Sequence, residues 1–217
     1  MKSTIEEARS DSVGPTDLST ASDEQLLLNY RQRGDRQAFG RLVQRYEREL
    51  FSYLRRYLGD AEMAEDAFQQ TFLQVHLKCD RFDTDRKFRP WLYTIATNQA
   101  IDSQRRNKRH RIVSLDRRGN QAGEADTGAL IDLLVANEPE PMARLESEER
   151  RQWIRGSVDQ LPEALRAAIG LVYYQGFKYR EAADILGIPV GTIKSRLHAA
   201  VLKLNQAWSE THPNESD

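Results

Sequence analysis

Apolar side chains recur along this chain at three- and four-residue intervals, and no stretch shows the strict alternation of a half-buried strand. In "RQAFGRLVQRYERELFSYLRRYLGD", residues 36–60, the positions Phe39, Leu42, Val43, Tyr46, Leu50, Tyr53, Leu54 and Tyr57 share one helical face, and Gly59 ends it. Ahead of it, "EQLLLNYRQRG" reads as a helix capped by Ser22 or Asp23 and closed at Gly34. "AEMAEDAFQQTFLQVHLKCDRF" follows as a third helix. A basic, aromatic loop, "RFDTDRKF", then leads to Pro90 in the first turn of "WLYTIATNQAIDSQRRNKR". Residues 111–145 lose the periodicity. Gly119, Gly123, Gly128 and an "EPEP" run predict a flexible linker, with one short helical turn in "ALIDLLVAN". Helices resume in "ESEERRQWIRGSVDQL", after Pro162 in "EALRAAIGLVYYQG", and in "YREAADILGIPVGTIKSRLHAAVLKL". The pattern predicts an all-α protein. It has a disordered tail over 1–21, a helical domain over 22–110, an acidic linker over 111–145, a smaller helical domain over 146–208 and a short tail over 209–217.

Composition narrows the class. At 217 residues, with 39% hydrophobic and 30% charged side chains, the chain suits two modest helical cores better than one large one. No apolar run reaches bilayer length, and the N-terminus lacks a signal-peptide core, so a cytoplasmic protein is expected. The single cysteine, Cys79, excludes an internal disulfide or a multi-cysteine zinc site. Net charge is only −1, but it is strongly segregated. Residues 81–118 hold eleven basic and four acidic side chains, a net of +7, whereas 120–149 hold eight acidic and one basic, a net of −7. A basic block beside an acidic one predicts a polyanion-binding surface next to a segment kept off it.

Three constellations carry candidate chemistry. In the last helical pair, Ala183, Gly187 and Ile193 stand where a helix-turn-helix needs a small crossing residue, a turn glycine and an apolar anchor. Ile193, Leu197, Ala200, Val201 and Leu204 form the buried stripe of the second helix. Thr192, Ser195 and Ala199 lie opposite, with Lys194, Arg196 and His198 around them, a candidate DNA face. On the helix 62–79, Ala64, Phe68, Phe72, Val75 and Cys79 make one apolar stripe. Leu73 and Leu77, beside Asp66 and Gln70, make a second strip that needs another partner. In 81–111, Phe82, Phe88, Trp91 and Tyr93 interleave with Arg81, Arg86, Lys87 and Arg89. Stackable rings among phosphate-neutralising cations suit single-stranded nucleic acid. Asn98 lies on the face of Trp91, where an amide can pair with a base edge. Arg105, Arg106 and Arg109 extend the basic surface, and Asp102 is placed to pair with Arg106 at i,i+4.

"AEDAFQQTFLQV", "FRPWLYTIATNQAIDSQRRNKR" and "YREAADILGIPVGTIKSRL" resemble the second and fourth regions of extracytoplasmic-function (ECF) sigma factors, in the same order and across a linker. The resemblance implies a region 2 helical bundle, a region 4 helix-turn-helix and a bacterial polymerase specificity subunit acting as a monomer. Residues 62–79 would dock on the clamp helices of the largest polymerase subunit through Asp66, Gln69, Gln70, Phe72, Leu73 and Leu77. The loop 81–88 and Asn98 would capture a base extruded from the minus-ten element. The helix-turn-helix would read the minus-thirty-five element beside the polymerase flap, and an anti-sigma factor is a further implied partner. Gln70 and Gln74 stand where the family often has an acidic and a basic residue, and Ala199-Ala200-Val201 where arginines are usual. No cofactor is called for, and the chain does not read as an enzyme. His76, His110, His198 and His212 show no metal-ligand spacing, and neither a phosphate loop nor a nucleophile elbow is present. The alternative is a helix-turn-helix regulator that does not bind core polymerase, which would leave the aromatic-basic loop unexplained.

Overall fold

The computed structural model describes residues 20–112 and 153–211, with 108–112 as helical backbone only. Each helix begins and ends for a local reason. Helix α1 (Asp23–Arg33) starts at Ser22, whose hydroxyl accepts from the Gln25 N–H at 3.2 Å while the Gln25 side chain accepts from the Ser22 N–H at 2.9 Å. This reciprocal box satisfies two amides that the first turn leaves open. Asp35 caps α2 (Arg36–Leu58) through the N–H groups of Gln37 and Ala38, and Asp60 caps α3 (Ala61–Lys78) through that of Met63. A 3₁₀ turn, Cys79–Arg81, follows, and then α4 (Phe88–Ile112). Leu42, Leu50, Tyr53 and Leu54 of α2 meet Val75 of α3 and Leu92, Tyr93 and Ala96 of α4 in the core of this first lobe. Phenols buried there need partners, and Tyr53 Oη lies 2.8 Å from Thr97 Oγ1.

The second lobe begins with α5 (153–159) and α6 (Glu163–Ile169), which runs on as a π-helical turn, Gly170–Tyr174. Gly176, at φ 68°, reverses the chain, so that the Phe177 N–H donates back to the Leu171 carbonyl at 3.0 Å. Helix α7 (Tyr179–Leu186) then turns at Gly187, φ 63°, into α8 (Val190–Thr211). The Ile188 N–H donates to the Ala183 carbonyl at 3.0 Å, closing the turn of a helix-turn-helix with Ala183 and Ile193 buried at the crossing. All regular structure among the described residues is helical. Residues 1–19, 113–152 and 212–217 lie outside the described residues, and with them the expected linker beyond 112, the helical turn expected in it and the start of the second domain.

Two expectations need correction. Helix α8 runs through Thr211, past the expected start of a tail at 209; Trp208 packs edge-on against Trp153 of α5 with ring centroids 4.7 Å apart, and the Thr211 hydroxyl donates back to the Ala207 carbonyl at 2.9 Å. Asp102 meets Arg105 at i,i+3 and 4.0 Å, not Arg106. A third feature was not expected: the lobes share one continuous apolar core. At their seam Arg89 Nε pairs with Glu49 Oε1 at 3.0 Å and Nη2 donates to the Gln175 carbonyl at 2.8 Å. The guanidinium also lies 4.3 Å over the Phe177 ring. The Tyr93 hydroxyl sits between Glu49 Oε1 (2.8 Å) and Gln175 Oε1 (2.7 Å). Along the same seam Arg56 covers the Tyr174 ring at 4.3 Å, and Arg166 Nη2 donates to the Tyr57 carbonyl at 3.0 Å.

Candidate nucleic-acid and protein interfaces

Helix α3 separates two faces. Ala64, Ala67, Thr71, Phe72, Val75 and, just beyond it, Cys79 point into the lobe, and Phe68 is half-buried against Phe72. Asp66, Gln69, Gln70, Leu73 and Leu77 point out. Their spacing repeats every three or four residues, which places them on one exposed stripe. Leu73 is 46% and Leu77 62% exposed, which is costly for side chains of this size. With Tyr179 they are the large apolar side chains left open among the described residues. Phe72, expected at the docking face, is buried beneath Phe39 and Phe68 and supports the stripe from below. Cys79 is buried too; burial pushes its thiol pKa up, as for a packing residue rather than a nucleophile. Next to Leu77, Tyr30 Oη meets His76 Nδ1 at 2.5 Å, a long-range pairing that no sequence pattern signals.

The aromatic-basic loop divides its residues between core and surface. Phe82 and Phe88 are core side chains, packed against each other and against Trp91 with centroids 6.1, 4.9 and 5.9 Å apart. Their ring faces are already covered, so Trp91, half-buried, is the ring of this set that keeps an open edge. Between the two phenylalanines, Asp83 to Lys87 are exposed, and Arg86 reaches Asp83 at 3.7 Å across the turn. Asn98 is exposed further along α4, as are Arg105 and Arg106; the side chain of Arg109 lies outside the described residues. A polar groove between α3 and α4, lined by Asp66, Gln70, Gln99, Ser103 and Arg106, joins the α3 stripe to this basic surface.

On α8 the buried stripe is Ile193, Leu197, Ala200, Val201 and Leu204. Lys194, Ser195 and His198 are exposed, whereas Thr192 and Ala199 are half-covered. Arg196 turns toward a cavity of about 410 Å³ between the lobes, where Tyr57, Arg105, Glu163 and Ile188 also stand. Burial, followed by the nearby Glu163 carboxylate, pushes the Tyr57 phenol up to about 12. The open face of the recognition helix is therefore centred on Ser195 and shifted toward Lys194 and His198. Among the described residues no group of three His, Cys, Asp or Glu side chains could hold a metal ion, and no helix is long and apolar enough to cross a membrane.

Comparison with known proteins fits this layout. Residues 42–110 match Sigma-70 region 2 and residues 151–204 match Sigma-70, region 4. The ECF RNA polymerase sigma factor SigW of Bacillus subtilis is 33% identical over 76% of this chain and 86% of its own length. The ECF RNA polymerase sigma-E factor of Escherichia coli K12 is 33% identical over 84% of this chain and 93% of its own. RNA polymerase sigma-H factor of Pseudomonas aeruginosa is 30% identical over 88% and 96%. Among solved structures, CnrH in complex with the cytosolic domain of CnrY superimposes with a TM-score of 0.59 at 25% identity, covering 88% of this chain and 99% of that one. Both domains, in order and nearly end to end, are those of one kind of protein, and this chain belongs to the ECF family of RNA polymerase sigma factors.

Proposed function

We propose that this sigma factor binds core RNA polymerase through the outer stripe of α3 and reads its promoter at two separate places. The observation that carries the first half is the open pair Leu73 and Leu77, rimmed by Asp66, Gln69 and Gln70 on a helix already packed on its other side. The clamp helices of the largest polymerase subunit are the partner the family resemblance suggests. Arg86, Lys87 and Asn98, with the open edge of Trp91, take the non-template strand at the minus-ten element. Ser195, Lys194 and His198 meet the major groove at the minus-thirty-five element, and Arg105 and Arg106 add a sequence-independent hold on phosphate. A single copy would serve each polymerase, on the nucleoid in the cytoplasm. A regulatory protein partner of the anti-sigma kind is part of this reading, since the CnrH structure is of a complex with the cytosolic domain of another protein.

Titrating fluorescently labelled full-length chain with core polymerase tests the docking stripe. Leu73→Asp and Asp66→Arg should each weaken binding at least tenfold while the far-ultraviolet circular dichroism and melting temperature stay close to wild type. Unchanged affinity in both variants would remove α3 from the interface.

A further inference from the structure

The exposed loop 83–87 is held at both feet by one helix that lies outside the segment matched as region 2. Arg31 Nη1 donates to the Phe82 carbonyl at 3.2 Å, and the Phe88 N–H donates to Glu24 Oε1 at 3.0 Å. Glu24 and Arg31 are seven residues apart on α1, two turns, so they stand on the same side of the helix and span the loop's two ends. Both are half-buried. Within the loop, the Arg86 N–H donates to the Asp83 carbonyl at 3.0 Å and the Asp85 N–H to Asp83 Oδ1 at 3.1 Å, which makes a compact arch. Beneath it the Phe82, Phe88 and Trp91 rings form a packed floor. α1 itself starts at residue 23, ahead of residues 42–110.

We propose that Glu24 and Arg31 are positioning residues for promoter-base selection. They fix the feet of the arch, so that Arg86 and Lys87 face the strand in one preset geometry, with Asn98 further along α4. The inference rests on the reading that this loop takes a minus-ten base. The physical reason is preorganisation: an arch released at one foot must be ordered again by the DNA, and each residue so ordered reduces binding. A correctly placed base gains from the fixed arch; a wrong base gains nothing. Releasing a foot should therefore lower selectivity more than it lowers affinity for core polymerase. Losing one charge-assisted hydrogen bond of this kind corresponds to an effect on the order of tenfold.

The test is in vitro transcription by holoenzyme, reconstituted from core polymerase and full-length chain, on a promoter library randomised through the minus-ten and minus-thirty-five elements. Lys87→Ala and Asn98→Ala first locate the position that the loop reads. Glu24→Ala and Arg31→Ala should then flatten preference at that same position by about tenfold, leaving minus-thirty-five preferences and core affinity as in wild type. Glu24→Gln, which keeps an acceptor for the Phe88 N–H, should restore most of the preference. If the loop variants flatten a position and neither α1 variant does, the foot-holding role is wrong and the loop reading stands. If the loop variants move no minus-ten preference, the loop reading itself fails and this inference with it. A uniform loss at every position, together with a lowered melting temperature and no rescue by Glu24→Gln, would reduce both residues to general supports of the fold.

Discussion

Tyr57 shows how much a single side chain at the seam has to balance. Its carbonyl accepts from Arg166, and its phenol, raised to about 12 by burial and by Glu163, stays protonated in the folded chain well beyond the usual tyrosine range. The folded state thus holds this proton more tightly than the unfolded one. The resulting stabilisation is complete below about pH 10 and drains away as pH rises toward 12. Urea unfolding at pH 8 and pH 11 should show a smaller loss for Tyr57→Phe than for wild type, the difference isolating this phenol from the other buried tyrosines. Glu24 has the opposite sign. Partial burial alone would raise its carboxyl. The Phe88 N–H, its own N–H, the Ser22 hydroxyl and the charge of Lys87 outweigh that and hold it below the ordinary carboxylate range. Its hold on the loop therefore persists through neutral pH and weakens only in acid.

At the scale of elements, the recognition helix makes the sharpest predictions. Lys194 is open and Arg196 turns toward the inter-lobe cavity, so in the proposed docking Lys194 is the better placed of the two for a phosphate while the lobes stay packed. Lys194→Ala should lower the salt slope of binding to minus-thirty-five duplex by about one, and Arg196→Ala should change it much less, as measured by titration across salt concentrations. Gly187→Ala places a side chain in the left-handed turn between α7 and α8 and should cost about 1 kcal/mol in thermal stability, read by circular dichroism. The helices themselves were legible from the sequence because their causes are local: Ser22 and Gly34 bound α1, Pro162 precedes α6, and Ala183, Gly187 and Ile193 build the turn. What was not legible depends on distance along the chain. Phe82 and Phe88, set among cations, suit a base stack and a core equally well until Trp91 and α1 are in place around them. The last turns of α8 have few apolar positions, and the one that packs, Trp208, does so on Trp153, more than fifty residues earlier. Helical periodicity also could not pair Arg89 with Gln175, since both are polar and each lies in a pattern that is complete without the other.

For the whole molecule, the seam decides whether two lobes behave as one body. Arg89 binds Glu49 and the Gln175 carbonyl while covering the Phe177 ring, so its removal breaks charge-assisted and stacking contacts together. Arg89→Ala should weaken inter-lobe packing by about 2 kcal/mol. The loss should appear as a larger radius of gyration in small-angle scattering and as faster proteolysis between the lobes, with the helix content of each lobe unchanged. Wild-type chain should melt in one transition and the variant in two.

The same seam limits how freely the lobes can be exchanged between relatives. A graft of one sigma factor's minus-thirty-five reader onto another's minus-ten reader would leave the contacts within each lobe in place. Yet Arg89 and Tyr93 come with one half, and Gln175 and Phe177 with the other. A transplanted lobe without matching partners would arrive tethered but undocked. Compatibility between the halves is thus inherited in pairs, and a working hybrid has to carry both members of each.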